Sequence, residues 1–298
     1  MMRGVRRVYH LAANPNLWAR DKASFHQTNV EGTRAVMKAA RVAGVERVVY
    51  TSTELILKGQ TKSDGPIQED FGIPSLSEMP GAYCKSKYLA EKAAFEAASA
   101  GLPVVVVNPT VPIGPGDWKL TPPTRMLQGF LTRTFPAYLQ CQLHLVPVED
   151  VARGHVLAAE KGRIGNRYIL GGQNITLSHL LLRLERLSGQ TMPKSSVPYW
   201  LALVSAAVNE FISDHITRMP PAAPLAGVQL VRSPATFQSV KARTELGFEA
   251  GSLDAALARA IAWLGESGLL EARRICKQPA PTVTNGARKR PLGFTNPG

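Results

Sequence analysis

Leu102-Pro103-Val104-Val105-Val106-Val107 ends in four consecutive valines. A half-exposed strand keeps one face polar; this run keeps neither, which is the pattern of a strand covered on both sides in a parallel sheet. Working upstream, the run from Tyr83 to about Ala100 reads as a helix, Arg47 to Ser52 as a strand, Ala23 to Ala43 as a helix and Val5 to Ala13 as another buried strand. The helix over 23–43 shows apolar positions Val30, Val36 and Val42 and a glycine stop at Gly44. A polar loop with Gly59, Asp64-Gly65-Pro66 and Ile73-Pro74 separates the strand ending at Ser52 from the Tyr83 helix. Strands and helices alternating at this spacing imply right-handed crossovers and helices on both faces of a parallel sheet. The fold expected is doubly wound α/β. Downstream, Pro109-Thr110-Val111-Pro112-Ile113-Gly114-Pro115-Gly116-Asp117 follows a strand's carboxyl end, where such sheets bind ligands, although a plain connector has the same composition. From there to about Trp263 shorter helices and strands mix, including Glu149 to His155 and Tyr168 to Gly172, and read as a smaller, partly helical lobe closing over the cleft.

The run Ala82-Tyr83-Cys84-Lys85-Ser86-Lys87-Tyr88-Leu89-Ala90-Glu91 places Tyr83 and Lys87 four residues apart, on one face of the helix. A free tyrosine titrates near pH ~10, so it moves protons at neutrality only if a nearby positive charge stabilises its phenolate. Lys87 is positioned to supply that charge. Thr53, closing Arg47-Val48-Val49-Tyr50-Thr51-Ser52-Thr53, brings a hydroxyl to the sheet's carboxyl edge. Alone, Tyr-x-x-x-Lys is common on ordinary surface helices; its context separates it from them.

The bulk composition is that of a globular protein of 298 residues with room for a substantial core. The longest strongly apolar stretch, Tyr199 to Val208, is far short of the roughly 20 residues of a membrane-spanning helix, so no membrane span is expected. The basic start Met1 to Arg7 lacks the apolar segment of a signal peptide. Cys84, Cys141 and Cys276 have unrelated spacings, which suits a reduced, cytoplasmic setting better than a disulfide framework. A nucleophilic Cys84 has no histidine near it in sequence, and the six histidines show no metal-ligand spacing, so no metal is expected. The formal charge of +13 suggests nucleic acid until it is located: six basic residues (Arg273, Arg274, Lys277, Arg288, Lys289, Arg290) and no acidic ones follow Glu271. That segment, rich in proline, glycine and small polar residues, reads as a disordered basic tail, and nucleic acid is not an expected partner of the folded part.

Five segments in order, Val8-Tyr9-His10-Leu11-Ala12-Ala13, Asn29-Val30-Glu31-Gly32-Thr33, Tyr50-Thr51-Ser52-Thr53, Tyr83 to Lys87 and Val107-Asn108-Pro109-Thr110, resemble the extended short-chain dehydrogenase/reductases, the NAD-dependent epimerase/dehydratase superfamily. The resemblance runs from Val5 to Trp263 and is strongest to the dihydroflavonol-reductase-like branch; Leu17-Trp18-Ala19-Arg20-Asp21 points within it to the hopanoid-associated sugar epimerases. It implies a Rossmann-like sheet with a mixed C-terminal substrate lobe: 1–115 as dinucleotide-binding domain, 116–270 as mainly substrate lobe with some elements returning to that domain, and 271–298 as the tail. It also implies that Tyr83 is the proton donor or acceptor, that Lys87 holds the nicotinamide ribose and lowers the Tyr83 pKa, and that Thr53, where the family usually has serine, bonds the substrate oxygen. Pro109 and Thr110 would meet the nicotinamide of NAD or NADP, and Ala12 and Ala13 would lie along the cofactor. The implied substrate is a small molecule with a hydroxyl or carbonyl carbon, a sugar or another alcohol. The dehydratases of the superfamily follow their threonine with two carboxylates; here the pair is Glu54-Leu55, which points to reduction or epimerisation instead.

The family's glycine-rich turn between its first strand and helix takes the cofactor pyrophosphate. No Gly-x-Gly-x-x-Gly or Gly-x-x-Gly-x-x-Gly occurs in this sequence, which starts at what resembles the fourth strand, so the sheet is expected to be incomplete. The Val5 to Ala13 strand would then be a bare apolar edge, open to self-association or to pairing with another chain. The expectation is a fragment whose full-length form is an enzyme and which is itself inactive; the alternative is a non-catalytic remnant or binding protein of the same fold.

Overall fold

The computed structural model describes residues 2–58, 65–70, 74–221, 223–232 and 234–270. The basic tail and Cys276, and parts of the loop after residue 58, lie outside the described residues. In chain order the elements are β1 (Arg7–His10), α1 (Ala23–Phe25), a π-helical segment (His26–Glu31), α2 (Gly32–Ala43), β2 (Arg47–Thr51), α3 (Leu55–Lys58), α4 (Gly81–Ser99), β3 (Val104–Pro109), β4 (Val111–Ile113), α5 (Pro122–Leu131), β5 (Gln142–Pro147), α6 (Val148–Lys161), β6 (Arg167–Leu170), β7 (Gln173–Thr176), α7 (Leu177–Ser188), α8 (Tyr199–Ile212), α9 (Leu225–Leu230) and α10 (Leu253–Glu266).

The main sheet is parallel in the order β1-β2-β3-β6. The four valines of β3 are fully buried, each worth about 1.5–3 kcal/mol relative to exposure, because alternate residues face different helix layers. Val48, Tyr50, Val104 and Val106 pack with Met37 and Ala40 of α2 and Ala90 and Ala94 of α4. Val49, Val105 and Val107 pack with Val151, Ala158 and Ala159 of α6 on the other face. Helices therefore cover both sides, as the valine run requires. The segments Glu149 to His155 and Tyr168 to Gly172 serve this sheet: the first lies in α6, and the second supplies β6, paired to β3 from Val106↔Arg167 to Pro109↔Leu170.

Two sequence expectations need adjustment. Val30 is buried and Val36 half-buried, but Val42 is 84% exposed. A six-residue step is roughly one and two-thirds helical turns, so the three valines cannot share a face; the inward stripe is Val30, Thr33, Met37 and Ala40. The glycine stop does hold, with Gly44 left-handed at φ 63°. The first strand spans Arg7–His10 only, and among the described residues it pairs with β2 alone. Among the described residues it forms one edge of the sheet; Arg7 and Tyr9 are its exposed residues, flanked by exposed Val5 and Leu11, so the edge is only partly apolar.

A second, mixed sheet of order β4-β5-β7 joins β4 and β5 in parallel and β5 and β7 antiparallel. Its core of Ile113, Leu145, Ile175 and Leu180 is closed by Leu127 and Phe130 of α5 and Leu257 of α10. No helix among the described residues is long and apolar enough to cross a membrane.

Candidate active site

Because the strands of the main sheet run parallel, one edge collects the residues that follow β1, β2 and β3. Ala12, exposed, and Ala13, half-buried, follow β1. Ser52, Thr53 and Glu54 follow β2 and are buried. Pro109 ends β3, and Thr110 beyond it is buried. The two strand ends are tied together, since Ser52 N donates to Val107 O at 2.7 Å and Glu54 N to Pro109 O at 3.2 Å.

Tyr83 reaches this edge from the first turn of α4. That helix starts at Gly81, whose φ of +66° and whose missing Cβ, 2.7 Å from where Ala226 Cβ stands, let its end lie directly against α9. The half-buried Tyr83 ring stands edge-on to Phe25 at 6.4 Å between centroids. Burial pushes its phenol well above the ordinary tyrosine value; Cys84 and Glu54 push the same way, and a hydrogen bond from Thr53 opposes them. Thr53 is thus the group at the strand end that favours an ionised Tyr83. The structure does not join Tyr83 to Lys87 as expected: the Lys87 ammonium donates to Thr51 O at 2.7 Å and Tyr50 Oη at 3.2 Å and lies 4.8 Å from the Tyr50 ring centre. Burial brings Lys87 down to about 8, with Glu91 opposing. The expected lowering of the Tyr83 pKa by Lys87 is therefore reversed here. The phenol is held protonated and is a weaker acid than a free tyrosine, so a proton leaves it only when a nearby positive charge or hydrogen bond stabilises the phenolate.

Glu54 is the second perturbed group. Its carboxyl accepts from Thr53 Oγ1 at 3.0 Å, and burial lifts it from 4.5 to about 7, opposed by that bond, its own backbone N–H and Lys58. The folded chain holds this proton more tightly than the unfolded chain. Its stabilising effect is full below pH 4.5 and is lost as pH rises to about 7, by about 3 kcal/mol at most. Glu54→Gln is accordingly expected to be more stable than the unsubstituted chain in urea melts at neutral pH and to lose that advantage at acid pH; an equal gap at both would remove the buried carboxylate as its cause. Cys84, fully buried with its thiol pushed up to about 12 by burial and then Glu54, is chemically quiet. No cluster of metal-ligating side chains stands among the described residues.

Two polar networks that sequence reading left without a role hold these groups. Asn108, fully buried, donates from Nδ2 to Thr53 O at 3.1 Å and to Glu91 Oε2 at 2.9 Å, and Arg167 completes the set by pairing with Glu91 Oε1 at 2.5 Å. Asn29, in the π-helical segment, accepts from Asn14 N at 2.7 Å and donates to Ser86 Oγ at 2.9 Å, while Ser86 Oγ donates to Tyr83 O at 2.7 Å. This chain of bonds ties the turn after Ala13 to the helix turn that carries Tyr83. Single-turn π segments recur at functional sites. Asn29 and Asn108 lie within the quoted motifs, but nothing in the sequence singles out Glu91 among the charged residues of α4.

The cavities lie beside these groups rather than on them. One of about 220 Å³ is lined by Pro112, Gly114, Asp117 and Thr121 of the loop after β3, and one of about 520 Å³ by Gly171, Gly172, Asn174 and Arg243. Neither is lined by Tyr83, Thr53 or Lys87.

Residues 2–171 match the profile of the NAD dependent epimerase/dehydratase family. A Synechocystis protein provisionally named dihydroflavonol 4-reductase is 38% identical over 274 residues, which are 91% of this chain and 79% of that one. The sterol demethylase protein B of Methylococcus capsulatus is 31% identical over 90% of this chain and 81% of its own. Among solved structures, that of gox2253 is 36% identical, with a TM-score of 0.77 over 90% of this chain and 80% of that chain.

Proposed function

Because the chain belongs to the NAD dependent epimerase/dehydratase family, we propose that it carries the proton-transfer half of a nicotinamide-dependent site acting on a hydroxyl or carbonyl carbon of a small alcohol or sugar. The observation that carries this reading is the meeting of Tyr83, Thr53 and Glu54 at the carboxyl edge of the sheet. Tyr83, held protonated, gives its proton to the substrate oxygen as a carbonyl becomes an alcohol, and Thr53 bonds the same oxygen.

The residues present fit the nicotinamide end of NAD or NADP. Among the described residues, the buried hydroxyls Ser52 Oγ and Thr110 Oγ1 have no partner at the edge where β2 and β3 end, and Lys87 stands one helical turn beyond Tyr83. Lys87 would hold the ribose, Pro109 and Thr110 would face the nicotinamide, and Ala12 and Ala13 would pass beside the cofactor. Bound there, the cofactor supplies or removes hydride. The alternative reading is a non-catalytic binding protein of the same fold.

Titration of the purified chain with NADH and NADPH, followed by a panel of ketones and sugars, separates the two. Micromolar cofactor binding with carbonyl-dependent oxidation of the nicotinamide is the result expected of the first reading. Absence of both, in a folded chain, overturns it in favour of the second.

A further inference from the structure

Glu54 sits between the proposed site and a second group of buried ionisable side chains. It is 4% exposed, and Lys58, one turn on in α3, and His144 of β5 are 6% and 5% exposed. Thr53 Oγ1 donates to Glu54 Oε2 at 3.0 Å and accepts from Leu55 N at 3.3 Å. A hydroxyl has one proton. Thr53 also favours an ionised Tyr83, so carboxylate and phenolate compete for its proton. We propose that Glu54 is a positioning residue for the reaction proposed above, its carboxyl selecting whether the Thr53 hydroxyl acts as donor or acceptor toward the substrate oxygen. The inference rests on the roles given there to Tyr83 and Thr53.

The two states follow from counting donors. With Glu54 ionised, the Thr53 proton points at the carboxylate and Leu55 N takes one lone pair, so only the other lone pair remains to face the substrate. It accepts from an alcohol O–H, the arrangement oxidation needs. With Glu54 protonated, its own O–H turns to Thr53 Oγ1 and releases the threonine proton toward a carbonyl oxygen, the arrangement reduction needs. Ionised Glu54 also disfavours the Tyr83 phenolate, both by repulsion and by engaging the Thr53 proton.

The surroundings keep both states within reach near neutrality. Burial raises the carboxyl to about 7, while Thr53, its backbone N–H and Lys58 pull it down. Lys58 faces it from α3, and Tyr83 and Cys84 from α4. From the second lobe, Cys141 and His144 face Lys58, itself lowered by burial. β3 contributes the Pro109 carbonyl to the backbone of Glu54.

The test has a readout that does not need turnover. In the chain labelled with ¹³C-methyl threonine, the Thr53 signal, identified by its loss in Thr53→Val, is expected to shift with a midpoint near pH 7 and to stay still in Glu54→Gln. A signal that does not move between about pH 6 and about pH 8, or moves equally in Glu54→Gln, overturns the inference. In turnover, carbonyl reduction should fall about tenfold per pH unit above the midpoint and alcohol oxidation should rise through it, with both limbs flattened in Glu54→Gln. Limbs that survive the substitution overturn it as well. A Thr53 titration in a chain that turns over no carbonyl or alcohol leaves the link between Glu54 and Thr53 standing and removes the functional reading instead. Should Glu54→Gln not fold, Glu54→Asp takes its place: an unchanged Thr53 midpoint overturns the assignment, and a displaced one supports it.

Discussion

Tyr83→Phe is expected to lower nicotinamide-dependent turnover by about two to four powers of ten while leaving the fold and cofactor affinity unchanged, the size of effect usual for removing a general acid. The ring keeps its edge-on contact with Phe25 and the helix keeps its start at Gly81, so the substitution removes one hydroxyl and little else. The carbonyl Tyr83 O, which accepts from Ser86 and links the helix to Asn29, belongs to the backbone and survives. What disappears is the proton that meets the growing charge on the substrate oxygen. Thr53 cannot replace it, because an aliphatic hydroxyl hydrogen-bonds the oxygen but is too weak an acid to transfer its proton. Steady-state kinetics beside a cofactor titration checks this: turnover within about threefold of the unsubstituted chain, with binding intact, would falsify the assignment of Tyr83 as proton donor.

The largest effect on stability is expected from Arg167→Met. Glu91 is 1% exposed, and its carboxylate is neutralised by Arg167 across the join between α4 and β6. Removing one partner of a buried pair strands the other charge, which costs about 3–5 kcal/mol. The guanidinium also lies 5.1 Å from the Phe95 ring centre, a contact methionine replaces only in part. The double change Glu91→Leu with Arg167→Met removes both charges and should recover most of the loss, leaving Asn108 without its carboxylate partner. Urea melts of the two single variants and the double variant form the required cycle. A loss below about 1 kcal/mol in Arg167→Met would show that water reaches Glu91 and that the pair is not truly buried. Since Asn108 also holds Thr53 O, the single variant should in addition loosen the site, seen as a broadened Thr53 methyl signal.

The main sheet was legible because its evidence is local. Four valines in a row can satisfy only a strand with helices on both faces, and Gly44 could only end a helix, so pattern and physics coincide there. Through the π-helical segment and α2 the valines stand six residues apart, a spacing that does not keep to one helical face, so Val42 lies on the water side while Val30 faces the core. At the site, Tyr83, Lys87 and Thr53 were visible as residue types at suggestive positions. Their relations were not, because Lys87 could be bonded to Tyr83 or to Tyr50 and Thr51 with the same sequence. The roles of Asn29, Asn108 and Arg167 join residues 57, 55 and 76 positions apart, beyond any local pattern.

By itself, then, the sequence determined the parallel sheet, the helix that presents Tyr83 and the strand end that presents Thr53, since each depends on hydrophobic period and backbone conformation within a few residues. Only the tertiary structure decided the ionisation of the site. Burial raises Tyr83 and Glu54 and lowers Lys87, and it does so because distant elements remove water from them. Desolvation is a property of the packed assembly, so a spacing of four residues can place a phenol and an ammonium on one helix face without settling which of them holds its proton.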